Sequence, residues 1–270
     1  MKTYPSISIL IRTTNAEKQL GQLLKHLRLR GEDEIIIVDT GSQDGTIAKA
    51  QEAGAILVIN HESFNYSQTL NLGFQAAQNK WVLVLSAHCL PLNENFLESY
   101  RQALVELPEE TAVVYGSNVF SISQYAKIDK NLKIHRPGTS IETLISGTNS
   151  NALYSHEIWR THPFDESLQF GGEDFEWKHW AFKSGYICAE VPAACVYYQH
   201  RGSFLYRYRK ACGDVAFLGF PRRPASWSYL IVGAIHASRH LLWERFEFQS
   251  WLGQLAHLLG VFISSRKRRS

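Results

Sequence analysis

Apolar residues along this chain fall into two alternating patterns. Short, nearly continuous apolar runs rich in Ile, Val and Leu read as buried strands, and stretches with leucines three and four apart read as helices. Ser6-Ile7-Ser8-Ile9-Leu10-Ile11 is the first run and ends at the polar Arg12-Thr13-Thr14-Asn15. Leu20, Leu23, Leu24 and Leu27 then mark one face of a helix over 17–29. Glu34-Ile35-Ile36-Ile37-Val38 is a second strand. It stops at Asp39-Thr40-Gly41-Ser42-Gln43-Asp44-Gly45-Thr46, and a helix follows to about Ala53. Ala55-Ile56-Leu57-Val58-Ile59 makes a third strand, 67–78 a helix, and Trp81-Val82-Leu83-Val84-Leu85 a fourth strand.

Strands without polar alternation belong to a parallel sheet covered by helices on both faces. The predicted class is therefore α/β, Rossmann-like, with a central, mostly parallel sheet. Ligands of such sheets bind beyond the carboxyl ends of the strands. Those ends carry Arg12-Thr13, Asp39-Thr40 and Ser86-Ala87-His88.

After Pro91 the pattern loosens. A helix is expected over 95–107, a strand over 112–115, and a mobile excursion over the site at 124–142. Order resumes at 147–154. A helix runs from about Asp174 to Ser184, a strand over 186–192, and a last strand from Val196 to His200. Residues 225–265 have helical periodicity, but Arg239, Glu244 and Arg245 interrupt the longest apolar stretch. No run reaches the ~20 apolar residues that span a bilayer, so an interfacial amphipathic helix or a packed helix is expected. The predicted organisation is a catalytic domain over 1–215 and a C-terminal helical, basic segment over 216–270.

Composition narrows the class. At 270 residues and 45% hydrophobic, the chain can bury a real core, and no repeat or low-complexity run is present. The apolar run from Ile7 to Ile11 is too short for a signal-peptide core, which predicts a cytoplasmic protein. Cys89, Cys188, Cys195 and Cys212 show no metal-cluster spacing and read as reduced structural thiols. The net charge of +3 is uneven. From Val196 onward 12 Lys and Arg face 3 acidic residues, against 16 and 22 before it. A basic tail behind an acidic front points to an anionic surface, lipid headgroups or nucleic acid.

Val38-Asp39-Thr40-Gly41-Ser42-Gln43-Asp44-Gly45-Thr46 resembles the VDxGSxDGT signature of family 2 glycosyltransferases. Further pieces follow in that family's order. Ile11-Arg12-Thr13-Thr14-Asn15 resembles its first base-binding turn, and Asn71-Leu72-Gly73 with Ala76-Ala77 its RNxGxxxA helix. Gly147-Thr148-Asn149 is similar to its glycine loop, and Gly171-Gly172-Glu173-Asp174-Phe175-Glu176-Trp177 to its GGEDxEW motif. The resemblance covers about residues 6–205. It implies a GT-A fold and an inverting transferase that moves a hexose or deoxyhexose from a nucleoside diphosphate to a glycan or lipid-linked glycan. Asp174 would be the general base and Glu173 an orienting carboxylate. Arg12, Thr13, Asn15, Asp39, Gly41, Ser42, Asn71, Ser86, Ala87, His88, Gly147 and Arg201 would bind the donor. Phe64-Asn65-Tyr66-Ser67 is similar to the donor-sugar side of rhamnosyltransferase-like members.

The chain departs from the family at Ser86-Ala87-His88, where two aspartates of a D-x-D motif usually stand. A divalent ion, Mn²⁺ or Mg²⁺, is implied by the family, yet losing two hard carboxylates disfavours Mg²⁺. His88 with His200 would suit Mn²⁺. Alternatively, Arg12, His88, His200 and Arg201 would serve as fixed positive groups without a metal. His88 also reads as a plain strand-end residue, and Asp44 as a helix cap. Trp177 and Trp180 read either as acceptor-stacking aromatics or as core. The tail reads as a membrane-docking segment or a solvated basic run; nucleic acid is disfavoured because the charge lies in the tail. Two other functions remain open: a non-catalytic or metal-independent nucleotide-sugar-binding protein, and a sugar nucleotidyltransferase. The latter lacks its glycine-rich N-terminal loop here.

Overall fold

The computed structural model of the chain describes residues 4–62, 65–138, 147–168, 171–198 and Leu259. The chain divides into two compact units, Met1–Ser167 with Glu173–Gln199, and Leu168–Gly172 with His200–Ser270. All elements named below lie in the first unit. His200, Arg201, Cys212 and the expected C-terminal segment, apart from Leu259, lie outside the described residues.

The N-terminal half alternates strand and helix as the apolar pattern requires: β1 (Ile7–Thr13), α1 (Glu17–His26), β2 (Glu34–Asp39), α2 (Thr46–Glu52), β3 (Ile56–Ile59), α3 (Tyr66–Ala76) and β4 (Trp81–Ser86). β2 and β4 pair parallel on either side of β1, and β3 pairs parallel with β2. Both sheet faces are covered. Ile7, Ile9 and Ile11 pack in one core with Leu20 and Leu23 of α1, whereas Leu10 packs in the other with Leu70 and Phe74 of α3. Successive side chains of a strand point to opposite faces, so a strand covered twice has no polar positions in its middle.

The second half is built differently. It comprises β5 (Cys89–Pro91), α4 (Phe96–Glu106), β6 (Thr111–Val119), α5 (Ile122–Ala126), β7 (Lys133–His135), β8 (Asn151–Ser155), α6 (His156–Thr161), α7 (Glu173–Lys183) and β9 (Ile187–Tyr198). The sheet order is β3-β2-β1-β4-β8-β6-β9-β5, with β7 also on β9. β8 runs antiparallel to β4 and β6, while β6 and β9 are parallel. The sheet is thus parallel in its first half and mixed in its second. An apolar run does not encode strand direction, so the sequence pattern could not separate the two cases.

Three local differences from the sequence reading follow from packing. The two strands expected at 186–192 and 196–200 are one twelve-residue strand, β9, whose register against β6 shifts between Tyr115 and Ser117. The described part of the expected mobile excursion contains α5, capped by Ser121, and β7, which pairs with β9 from Lys133↔Glu190 to His135↔Cys188. β5 and α6, each short, carry no periodic signal of their own. At the amino ends of the strands, Arg101 forms a buried ion pair with Asp33, whose carboxylate also accepts from Ile7 N at 2.9 Å and Arg30 N at 2.7 Å.

Candidate active site

The strand order reverses beside β1, with β2 on one side and β4 on the other, and this is where open α/β sheets bind ligands. Arg12, near the carboxyl end of β1, is in register with Val38 and Ser86. Its guanidinium lies 4.9 Å from the centre of the Tyr66 ring at the start of α3. Arg12 Nη1 is shielded from solvent and has no hydrogen-bond partner among the described residues. A buried guanidinium nitrogen left unpaired is costly unless an anion meets it.

The β1 and β2 tips are tied to one another. The buried Asp39 carboxylate accepts from Gly41 N (3.0 Å) and Ser42 N (2.8 Å) through Oδ1, and from Thr13 Oγ1 (2.9 Å) and Ser42 Oγ (2.5 Å) through Oδ2. Asn15 N donates to Ser42 Oγ at 2.8 Å, and Gln43 N donates to Asn15 Oδ1 at 2.8 Å. Thr13, Asp39 and Ser42 therefore share the task of shaping the turn. Asn15 and Gly41, like Thr14 and Gln43, are exposed at its surface. Gly41 has φ +91°, a left-handed conformation that a side chain would strain. Asp44 caps two helices at once, accepting from Thr46 N at 3.0 Å and Glu17 N at 3.2 Å. Its proton affinity is lowered chiefly by the Thr46 hydroxyl.

Glu173 and Asp174 open α7, where their charge suits the positive end of the helix dipole. Asn149 holds both. Its Nδ2 donates to Glu173 Oε1 at 3.1 Å, its backbone N–H donates to Asp174 Oδ2 at 3.3 Å, and its Oδ1 accepts from Tyr154 OH at 2.5 Å. Glu173 is 4% exposed. Burial raises its proton affinity first and the Asp174 charge adds to this; the Arg12 guanidinium and the Asn149 amide oppose them. Arg12 of the β1 tip thus lies within electrostatic reach of the Glu173 carboxylate. Asp174 is half-buried, and its charge also raises the pKa of the buried Tyr115 and Tyr154 hydroxyls, though burial is the larger cause.

Gly147 begins the turn that carries Asn149. A Cβ on Gly147 would lie 2.1 Å from Cγ of Tyr115, so only glycine lets the turn rest on that ring. Lys178, 2% exposed, donates to Gly147 O at 3.3 Å. Thr148 and Ser150 share a hydrogen bond of 2.6 Å, and both accept from Asn118 Nδ2. Ser150 O accepts from Ser86 N at 3.2 Å, joining this turn to the β4 tip. Beneath it, burial pushes the Cys89 thiol up to about 12, which suits a structural residue.

Other expected site residues go elsewhere. Asn71 is buried and spends its whole amide on the chain: Nδ2 donates to Phe164 O (2.9 Å) and Glu166 Oε1 (2.8 Å), while Oδ1 accepts from Phe164 N and Trp159 Nε1. It clamps α3 to 164–166 and has no hydrogen-bonding position left for a donor. Trp177 is 0% exposed, its indole N–H donating to His162 O at 2.7 Å, so it is core and cannot stack on an acceptor. Trp180 stacks on His162 at 4.1 Å and packs near Tyr186. Ala87 is buried with Cys89 in the core on the α1 face. Ser86 and His88 are half-buried, and the His88 ring meets Tyr198 edge-on at 4.8 Å. Among the described residues no group of three or more His, Cys, Asp or Glu side chains forms a metal site.

Asn149 and Lys178 are the residues that the sequence did not single out as site members. Asn149 was visible as the third residue of the glycine turn. Lys178 was visible as a cation four residues after Asp174, on the same helix face.

A mixed sheet whose parallel half carries these polar tips, with a carboxylate-bearing helix beside them, has the GT-A glycosyltransferase fold. The structure is similar to a mannosyltransferase from Pyrobaculum calidifontis, solved in complex with GDP-Man and Mn²⁺, with a TM-score of 0.65 at 15% identity over 100% of this chain and 89% of that one. It is also similar to glucosyl-3-phosphoglycerate synthase from Mycobacterium tuberculosis, solved with Mg²⁺ and uridine diphosphate, with a TM-score of 0.60 at 15% identity over 80% of each chain. The sequence matches glycosyl transferase family 2 over residues 8–160, more than half its length, and the chain belongs to that family. The match includes Arg12, Asp39 and Asn149 and ends before Glu173 and Asp174. A TPR repeat-containing protein of Synechococcus elongatus is 36% identical over 83 residues, 31% of this chain. The match spans about a fifth of that relative, 20% of its length.

Proposed function

We propose that this chain is an inverting glycosyltransferase that moves a hexosyl or deoxyhexosyl group from a nucleoside diphosphate to a glycan or lipid-linked glycan. The observation that carries the reading is the Asn149 bridge. It holds two carboxylates at the start of α7, and one of them, Glu173, is within electrostatic reach of the Arg12 guanidinium at the β1 tip. A single displacement at the anomeric carbon needs a base on the acceptor side and positive charge on the leaving-group side. In this reading Asp174 takes the proton of the acceptor hydroxyl as it attacks. The more buried Glu173 orients the acceptor or the turn. Arg12 stabilises the charge that develops on the departing diphosphate. Asn15 and Gly41 at the exposed turn and Ser86 and His88 at the β4 tip complete the donor side; Arg201, expected with them, lies outside the described residues.

The two solved relatives carry Mn²⁺ or Mg²⁺ with their nucleotides. Here Ser86 and His88 at the β4 tip do not make the oxygen-rich set that Mg²⁺ prefers. His88 was expected to share Mn²⁺ with His200, which lies outside the described residues, and no step above passes through the ion. The proposed organisation is a catalytic domain over 1–215 and a basic segment over 216–270 that keeps the enzyme at the cytoplasmic face of a membrane. Among the described residues no helix is long and apolar enough to cross one.

Calorimetry with GDP and UDP, with and without Mn²⁺, followed by mass spectrometry of a nucleotide-sugar panel, tests the reading. Binding of a nucleoside diphosphate and turnover of its sugar conjugate are expected. Binding with no turnover of any donor would instead support the non-catalytic alternative.

A further inference from the structure

Lysine is almost never fully buried unless something holds its charge. Lys178 is 2% exposed, and its ammonium meets Gly147 O at 3.3 Å, the Tyr115 ring at 4.9 Å and the Phe175 ring at 4.5 Å, among other neighbours. Tyr115 is also the ring on which the Gly147 backbone rests. The contacts close a circuit. Lys178 of α7 holds Gly147; two residues on, Asn149 returns to Glu173 and Asp174 of the same helix. Burial lowers the ammonium's pKa, and the Asp174 charge, one turn back on the helix, opposes that fall. A loop that needed only packing would gain more from a buried methionine than from a desolvated cation.

We propose that Lys178 is a positioning residue for the transfer: its ammonium pins the 147–149 turn to α7, and that pin sets the place of Asn149 against the two carboxylates. The inference rests on the reading of Asp174 as the base. Displacing a reacting group by about 1 Å costs roughly a hundredfold in rate, so the loss belongs in kcat rather than in donor binding.

The test uses the full chain and hydrolysis of whichever donor of the nucleotide-sugar panel the wild type cleaves. Lys178→Met should lower kcat by about tenfold to a hundredfold. Donor KM and the calorimetric affinity for the matching nucleoside diphosphate should be unchanged, and Lys178→Arg should recover part of the rate. Wild-type kcat in Lys178→Met overturns the proposal. So does a joint loss of kcat, KM and melting temperature that Lys178→Arg does not relieve. Should the methionine variant not fold, Lys178→Gln, shorter than lysine and uncharged, holds Gly147 O less firmly; a smaller fall in kcat at unchanged KM is expected, and wild-type kcat there overturns the part given to the ammonium. A wild type that cleaves no donor sinks both this inference and the functional reading, whereas an active wild type with indifferent variants sinks this inference alone.

Discussion

The backbone N–H of Asn149 points at Asp174 Oδ2 from 3.3 Å, and no substitution at position 149 other than proline removes that donor. The side-chain amide of Asn149 serves Glu173 and Tyr154 instead. One residue therefore holds a half-buried carboxylate by its main chain and a buried one by its side chain. These two attachments are separable by mutation.

Asp174→Asn keeps the size of the side chain and removes its basicity. Turnover should fall by about a hundredfold to ten-thousandfold, the usual worth of a general base. Affinity for the nucleoside diphosphate by calorimetry should stay near wild type, because Arg12 and the strand tips are untouched. Wild-type turnover would eliminate Asp174 as the base.

Asn149→Ala should act on stability first. It deprives the buried Glu173 of a donor and the buried Tyr154 hydroxyl of its acceptor, while the main-chain bond to Asp174 survives. Leaving buried polar groups unpaired costs about 1–3 kcal/mol each. Chemical denaturation of wild type and variant measures it, and equal midpoints would show that water replaces the amide.

Glu173 gives a pH dependence with a definite sign. Its folded pKa is raised above the ordinary 4.5, first by burial and then by Asp174. The folded state thus holds its proton more tightly than the unfolded state. Its favourable contribution is full below the unfolded value and is lost as pH rises through the folded value. Glu173→Gln abolishes this loss, so its melting temperature relative to wild type should improve from acid toward neutrality. A pH-independent difference would mean that Arg12 and Asn149 fully offset the burial of the carboxylate.

Arg101→Met should destabilise the fold with no change in donor affinity. Arg101 and Asp33 are paired with side chains 3% and 0% exposed, at the amino ends of the strands, far along the sheet from the Arg12 tip. Breaking a buried pair on one side costs about 3–5 kcal/mol because the other charge is left stranded. Thermal melts with calorimetry on the same samples separate the two effects.

Arg12→Met should weaken nucleoside diphosphate binding, whereas Asn71→Ala should act mainly on stability, since Asn71 is spent on Phe164, Glu166 and Trp159. A titration of Arg12→Met that overlays wild type would exclude Arg12 from the leaving-group side.

The apolar runs by themselves determined the alternating half from β1 to β4, because a strand buried on both faces and a helix buried on one leave different periods in the sequence. The turns and the helix start that carry Arg12, Asp39, Gly147, Glu173 and Asp174 were legible for the same local reason: such places demand particular side chains. Tertiary structure alone decided the rest. Strand direction in the second half depends on where the chain returns, and that information lies in contacts such as β8 against β4. Thr13, Asp39 and Ser42 turned out to bind one another, and Asn71 and Trp177 to belong to clamps and core, because burial and pairing depend on residues far away in sequence. Asn149 and Lys178 gained their roles only when the 147–149 turn met α7, some twenty-five residues further along the chain, and no local pattern records such a meeting.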